Sequence, residues 1–342
     1  MKLNMTIYKG YFPILFLLIP FLVSAQKPLD FEKAIINSKL YDYLDIQFQN
    51  VEDDLKLEGT LIIPKESYSQ IVLIVPGSDR NTRFAHHKLA QEFLNKNIGV
   101  FRFDDRGIGE SEGKFNPFGA NSLALDIKYA IHKLNSLPGF EEKKIGVLGH
   151  SLGAIAAVKA TSITNDIDYI IQLSAPVKNP SYSFKYQAVQ NLNGRYNFKD
   201  KSVKEIRHLF DTLTILTQKN FKNDNYKEVR NKGVKVIKNL DFKVGNIPWT
   251  YSYIDLIKDD LDQFYKNLEV PLLFLIGSED KYVDPISETE LISGYKNSLI
   301  TYKTLEGLNH YFLSEKPTLE NIYNVDENAS NIIFEWLAAN IK

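Results

Sequence analysis

The chain contains no cysteine among its 342 residues. That absence excludes a disulfide-stapled scaffold, a thiol nucleophile, and any zinc or iron–sulfur site held by thiolates. It also lacks an excess of one charge: the formal net charge is −1, so nothing global points to nucleic acid. No internal repeat is evident, and the longest apolar run, Tyr11 to Val23, is too short to span a bilayer. What remains is an ordinary globular composition, 44% hydrophobic and 24% charged, in a chain long enough to bury a large core.

The start of the chain reads as a signal peptide over residues 1–25. Lys2 and Lys9 precede the apolar run, Pro20 breaks it, and Val23-Ser24-Ala25 supplies the small residues before a cleavage point at Gln26. The expected mature protein is therefore exported, secreted or periplasmic, with no stable membrane span after cleavage. An uncleaved anchor is the alternative. Folding in an oxidising compartment requires no disulfides, so their absence does not contradict export.

Two alternating segments, Tyr43–Phe48 and Leu57–Pro64, read as a hairpin across the acidic turn Glu52-Asp53-Asp54. The rhythm then changes. Continuous apolar strands at 71–75, 98–103, 145–148, 169–173, 272–276 and 299–302 alternate with helical periodicity at 87–95, 122–137 and 330–341. Runs apolar on both faces, separated by helices, predict an α/β fold with a mostly parallel, twisted sheet and helices on both faces.

Residues 176–266 interrupt the rhythm with helical patches and no buried-strand pattern. Over Val177 to Lys266 there are 17 basic and 10 acidic residues, a net of +7, and many aromatics, Trp249, Tyr253 and Phe264 among them. An insertion of this size between sheet strands predicts a helical cap (lid) over the C-terminal strand ends, where ligands bind in such folds. The core is then 26–175 and 267–342. The lysines either face the sheet and steer anionic substrates or spread over outer faces.

The chemistry converges on one pentapeptide. Gly149-His150-Ser151-Leu152-Gly153 lies between the apolar run Ile145–Leu148 and the small-residue helical segment Ala154–Ala160. Strand, Gly-x-Ser-x-Gly, then helix is the context of a nucleophile elbow, with Ser151 lifted out of the sheet on a strained turn. A serine nucleophile needs a base, and the base needs an orienting acid. Of six histidines, His310 alone follows the last expected strand. His86 and His87 start a helix, His132 lies within one, His208 lies in the insertion, and His150 sits on the elbow with its side chain expected to point away. The acid is expected after the strand at 272–276, with Asp280 favoured and Glu279 and Asp284 as competitors. The backbone N–H groups of Leu152 and Ser78 are the expected oxyanion donors.

With these motifs in hand, the chain resembles the α/β-hydrolase superfamily, in particular secreted bacterial serine esterases with a helical lid. The matching residues are Pro76-Gly77-Ser78, Asp104-Asp105-Arg106-Gly107-Ile108-Gly109-Glu110-Ser111, the elbow, Gly277-Ser278-Glu279-Asp280 and Gly307-Leu308-Asn309-His310. The family's frequent His-Gly before the oxyanion residue is Pro76-Gly77 here, and the loop shortens to Gly77-Ser78-Asp79. The resemblance implies that Arg106 is structural and ties loops near the site. It also implies a small-molecule acyl ester substrate, no nucleic acid, and neither metal nor organic cofactor. A serine peptidase acting on short peptides and a catalytically silent binding protein are the competing expectations.

Overall fold

The computed structural model describes residues 33–194, 196–221 and 225–341. The expected signal peptide lies outside the described residues. An eight-stranded sheet organises the chain, in the order β1-β2-β4-β3-β5-β6-β7-β8. β1 (Tyr41–Asn50) and β2 (Leu55–Pro64) form the expected hairpin, registered Tyr41 to Pro64 and Asn50 to Leu55. β2 also runs antiparallel to β4 (Gly99–Phe103). From β4 onward, β3 (Gln70–Val75), β5 (Lys144–His150), β6 (Tyr169–Leu173), β7 (Leu272–Gly277) and β8 (Ile300–Leu305) are parallel to their neighbours.

The central strands are apolar throughout because both of their faces are covered. On one face, Ile71, Leu73, Val75, Val147 and Ile170 pack with α2 (Ala120–Asn135) and α3 (Leu152–Ala160). On the other, Val72, Ile74, Leu148 and Ile171 meet Leu89 and Phe93 of α1 (His87–Asn95) and Ile333 and Trp336 of α10 (Glu327–Asn340). The last helix begins earlier than its apolar periodicity suggests, because the Asp326 side chain caps it by accepting from the backbone of Asn328.

Between β6 and β7 come α4 (Ser181–Val189), α5 (Val203–Asn220), α6 (Tyr226–Asn239), α7 (Tyr251–Ile257) and α8 (Asp262–Lys266). The buried residues of a third core, Tyr196, Phe210, Trp249 and Tyr253 among them, come from this segment, and Phe118 from the loop before α2 packs against them. Its aromatics are therefore spent mainly on holding the segment together. α8, inside the expected insertion, packs Tyr265 with the sheet instead, its hydroxyl donating to Gln172 at 3.0 Å. Where the segment leaves and rejoins the sheet, buried Asn179 donates to the carbonyls of Ile257 (2.7 Å) and Asp259 (2.9 Å). α9 (Pro285–Gly294) then separates β7 from β8.

Candidate active site

Ser151 stands between β5 and α3 with φ 53° and ψ −112°, a backbone conformation a side-chain-bearing residue adopts only where the surroundings enforce it. The two glycines of the pentapeptide show how. A Cβ on Gly153 would lie 2.3 Å from the Val75 carbonyl oxygen, and one on Gly149 would lie 2.5 Å from the Ala154 Cα. The helix start thus presses directly on two strands, and the Ser151 N–H donates to Leu173 O at 2.8 Å to close the turn. Leu152 opens α3, so its N–H is among the helix's first donors without an intrahelical acceptor.

His310 arrives from the loop after β8, and its Nδ1 lies 2.8 Å from Oδ2 of Asp280 in the loop after β7. The two loops meet closely because Gly277 has no side chain; a Cβ there would lie 2.1 Å from the Leu308 carbonyl oxygen. Asp280 is 1% exposed, and its other oxygen accepts from the backbones of Tyr282 (2.7 Å) and Val283 (2.9 Å). The competing carboxylates are otherwise engaged. Asp284 caps α9, accepting from Ile286 N and Ser287 Oγ, and Glu279 pairs with Lys281 at the surface.

Ser151, Leu152, Ser78 and His310 line one cavity of ≈ 390 Å³. Phe118, Phe184, Leu256 and Val283 make an apolar side, with Phe184 and Leu256 supplied by α4 and α7. Ser78, Asp79, Asn81, Tyr311 and Tyr323 make a polar side. Asp79 is the one charged residue of the lining, and no lysine or arginine lines the cavity among the described residues. The basic surplus of the insertion therefore does not enter the pocket.

The loop carrying Ser78 is pinned at Asn81. Asn81 N donates to the Asp105 carboxylate at 2.9 Å, its Nδ2 donates to the Asp79 carbonyl at 2.6 Å, and its Oδ1 accepts from Tyr323 at 2.6 Å. Burial pushes the Asp105 carboxyl up to about 7. Arg106 lies outside the cavity lining. It pairs with buried Asp126 through Nε at 2.7 Å, with Asp53 through Nη1 at 2.7 Å, and donates to the Ser122 carbonyl at 3.0 Å. It ties the loop after β4 to α2 and to the β1–β2 turn.

One expectation needs correcting. The His150 side chain does not leave the site: it lines the cavity, its ring centroid 4.9 Å from that of His310. Its Nε2 lies 2.9 Å from the His310 carbonyl oxygen. The physical reason is that His150 faces the α1 side of the sheet, and the loop bearing His310 folds over that same side. Burial pushes His150 down to about 3. His86, which precedes α1 without capping it through its side chain, also reaches the cavity and packs edge-on against His150 at 5.2 Å. No local pattern signals either placement, since each depends on loops far apart in the chain.

The arrangement has the parts for nucleophilic catalysis: a strained serine, an imidazole oriented by a buried carboxylate, and donors at a helix start. Among the described residues no group of side chains suits a metal ion, and no helix is long and apolar enough to cross a membrane.

Comparison with known proteins agrees with this architecture. An esterase from Pyrococcus furiosus superposes with a TM-score of 0.57 at 20% identity, covering 92% of this chain and 100% of that one. The α/β hydrolase GrgF from Penicillium sp. sh18 gives 0.58 at 16% identity, covering 88% and 99%. Both likenesses are of fold. A thiohydrolase from Arthrinium phaeospermum is 28% identical over 137 residues, which span 39% of this chain and 43% of that relative. The family model described as serine aminopeptidase, S33, matches residues 66–317, the whole of the sheet from β3 onward with the helices between its strands. The chain belongs to that serine aminopeptidase (S33) family of the α/β-hydrolase superfamily.

Proposed function

We propose that this chain hydrolyses carboxylic esters by an acyl-enzyme route. Ser151 attacks the acyl carbonyl while His310 takes its proton and later returns it to the leaving alcohol. Asp280 holds the imidazole tautomer and stabilises the imidazolium. The N–H groups of Leu152 and Ser78 receive the oxyanion, each worth on the order of 3 kcal/mol. The observation that carries this reading is the 2.8 Å contact between His310 Nδ1 and buried Asp280, in the cavity that Ser151 also lines. The helices after β6 act as a cap, since Phe184 and Leu256 give the pocket its apolar side. Such a wall suits an acyl chain. The reaction needs no metal or organic cofactor. The apolar run Tyr11 to Val23, preceded by Lys2 and Lys9, supports export of this activity from the cytoplasm.

A second reading, an aminopeptidase acting on short peptides, is favoured by the family's description and by Asp79, an acid at the cavity able to receive a substrate ammonium. One panel separates the two: aryl esters and thioesters of rising acyl length beside aminoacyl anilides, each with wild type and Ser151→Ala. Ester turnover abolished by Ser151→Ala supports the proposal. Turnover of the anilides alone refutes it and turns attention to Asp79.

A further inference from the structure

Three histidines stand in a row behind the elbow. His310 is held at its ring by Asp280, and its own backbone carbonyl meets His150 Nε2 at 2.9 Å. A carbonyl oxygen can only accept, so His150 donates from Nε2. The tautomer of a ring nearly surrounded by protein is thereby fixed. His86 closes the far side of His150 at 5.2 Å, and Tyr311 packs edge-on at 5.7 Å. Across His310, Tyr282 lies 4.6 Å away and Tyr311 5.3 Å away, centroid to centroid. Besides Asp280, the charged neighbours of these rings are Asp79, which acts on Tyr311 from the same cavity, and Arg102, which acts on His86.

We infer that His150 is a positioning residue for His310: its Nε2–H fixes the His310 carbonyl, and so the direction from which the imidazole meets Asp280 and Ser151. The inference rests on the reading of His310 as the base. An imidazole carried on a loop has its peptide as well as two side-chain torsions to be set, and the bonds through Asn309 hold the neighbouring residues rather than the His310 carbonyl. Asp280 restrains only the far end of that lever, and His150 restrains the near end. The same geometry explains why a histidine serves there. Burial keeps the ring neutral across the working pH range, so the donor adds no positive charge beside an imidazolium forming on His310. A lysine or arginine in its place would set a like charge against that imidazolium.

The test compares His150→Phe, which keeps a ring and loses the donor, with His150→Gln, whose side-chain amide nitrogen falls near the place of Nε2. With the ester that wild type turns over best, His150→Phe is expected to lower kcat on the order of 10- to 100-fold with KM little changed, as a displaced catalytic group does. His150→Gln should recover most of kcat. Equal impairment of the two variants, or a loss carried by KM with kcat unchanged, overturns the inference. Should His150→Phe not fold, nitrogen NMR of the wild-type imidazoles decides: a proton on Nδ1 rather than Nε2 of His150 refutes it. Inactivity of wild type on every ester would sink the proposed function, and the NMR measurement would still judge His150 on its own.

Discussion

Replacing Asp280 by asparagine tests the site most sharply, because the structure dictates how the new amide must sit. One carboxylate oxygen of Asp280 accepts from two backbone N–H groups, at 2.7 and 2.9 Å, and the other meets His310 Nδ1 at 2.8 Å. An asparagine must keep its oxygen on the two backbone donors, since turning its NH2 towards them would leave buried donors facing a donor. The NH2 then faces His310 Nδ1 and donates to it. That forces the imidazole proton onto Nε2, the atom that has to accept from Ser151. The enzyme keeps its shape and loses its base. The loss in kcat should be on the order of 10⁴, equivalent to about 5.4 kcal/mol of transition-state stabilisation, with little change in thermal stability. Asp284→Asn is the internal control: it disturbs only the cap of α9, and its kcat should stay near wild type. Stopped-flow and steady-state hydrolysis of one chromogenic ester measure both. An Asp280→Asn enzyme within tenfold of wild type, or a larger loss in Asp284→Asn, would refute the reasoning and move the acid.

Gly153→Ala should cost at least about 1–3 kcal/mol, because its Cβ would fall 2.3 and 2.4 Å from the carbonyl oxygens of Val75, the last residue of β3, and Pro76 just after it, which are backbone rather than a flexible side chain; a Tm unchanged from wild type would contradict this. Glu288, 2% exposed and accepting from Val177 N at 2.7 Å, is pushed up to about 7 from 4.5, chiefly by burial. Its folded value is the higher one, so its stabilising contribution is complete below 4.5 and is lost as the pH rises through about 7. Glu288→Gln should therefore flatten that part of the Tm–pH curve, and parallel curves for wild type and variant would exclude the carboxyl as the cause. Because no lysine or arginine lines the cavity among the described residues, kcat/KM for a carboxylate-bearing ester should fall no more steeply with salt, between low and moderate ionic strength, than that of a neutral ester of equal acyl length. A steeper fall for the anionic ester would show steering from the basic insertion after all.

The parallel strands were legible because burial on both faces leaves no polar alternation to confuse, as in Ile71–Val75 and Leu272–Ile276. That Ser151, Asp280 and His310 follow strands was legible because each comes after an apolar run, whereas that Asp280 rather than Glu279 or Asp284 meets His310 is visible only in the structure. At the edges the signal weakens. β8 carries exposed Thr301, Tyr302, Lys303 and Thr304, so its apolar run stops short of its true end at Leu305. α9 went unread because its apolar positions make no continuous face, only Pro285, Glu288 and Ile292 being buried. Most of all, the roles of His150 and His86 are written nowhere locally. His150 and the carbonyl it meets are 160 residues apart, and only the folding of one loop over the sheet brings them together. The aromatic insertion misleads in the opposite sense: Tyr196, Phe210, Trp249 and Tyr253 look like pocket lining and form a core of their own.

Asn179 gives that insertion a property beyond support. One side-chain amide holds the carbonyls of Ile257 and Asp259, so the stretch that follows β6 is clamped to the stretch that precedes α8. The insertion is tied at a second place as well, since the Tyr186 hydroxyl donates to the Asp280 carbonyl at 3.1 Å and the Gln187 amide to the Tyr282 carbonyl at 3.0 Å. A change in α4 is therefore felt in the backbone of the loop that carries Asp280, and not in the cavity wall alone.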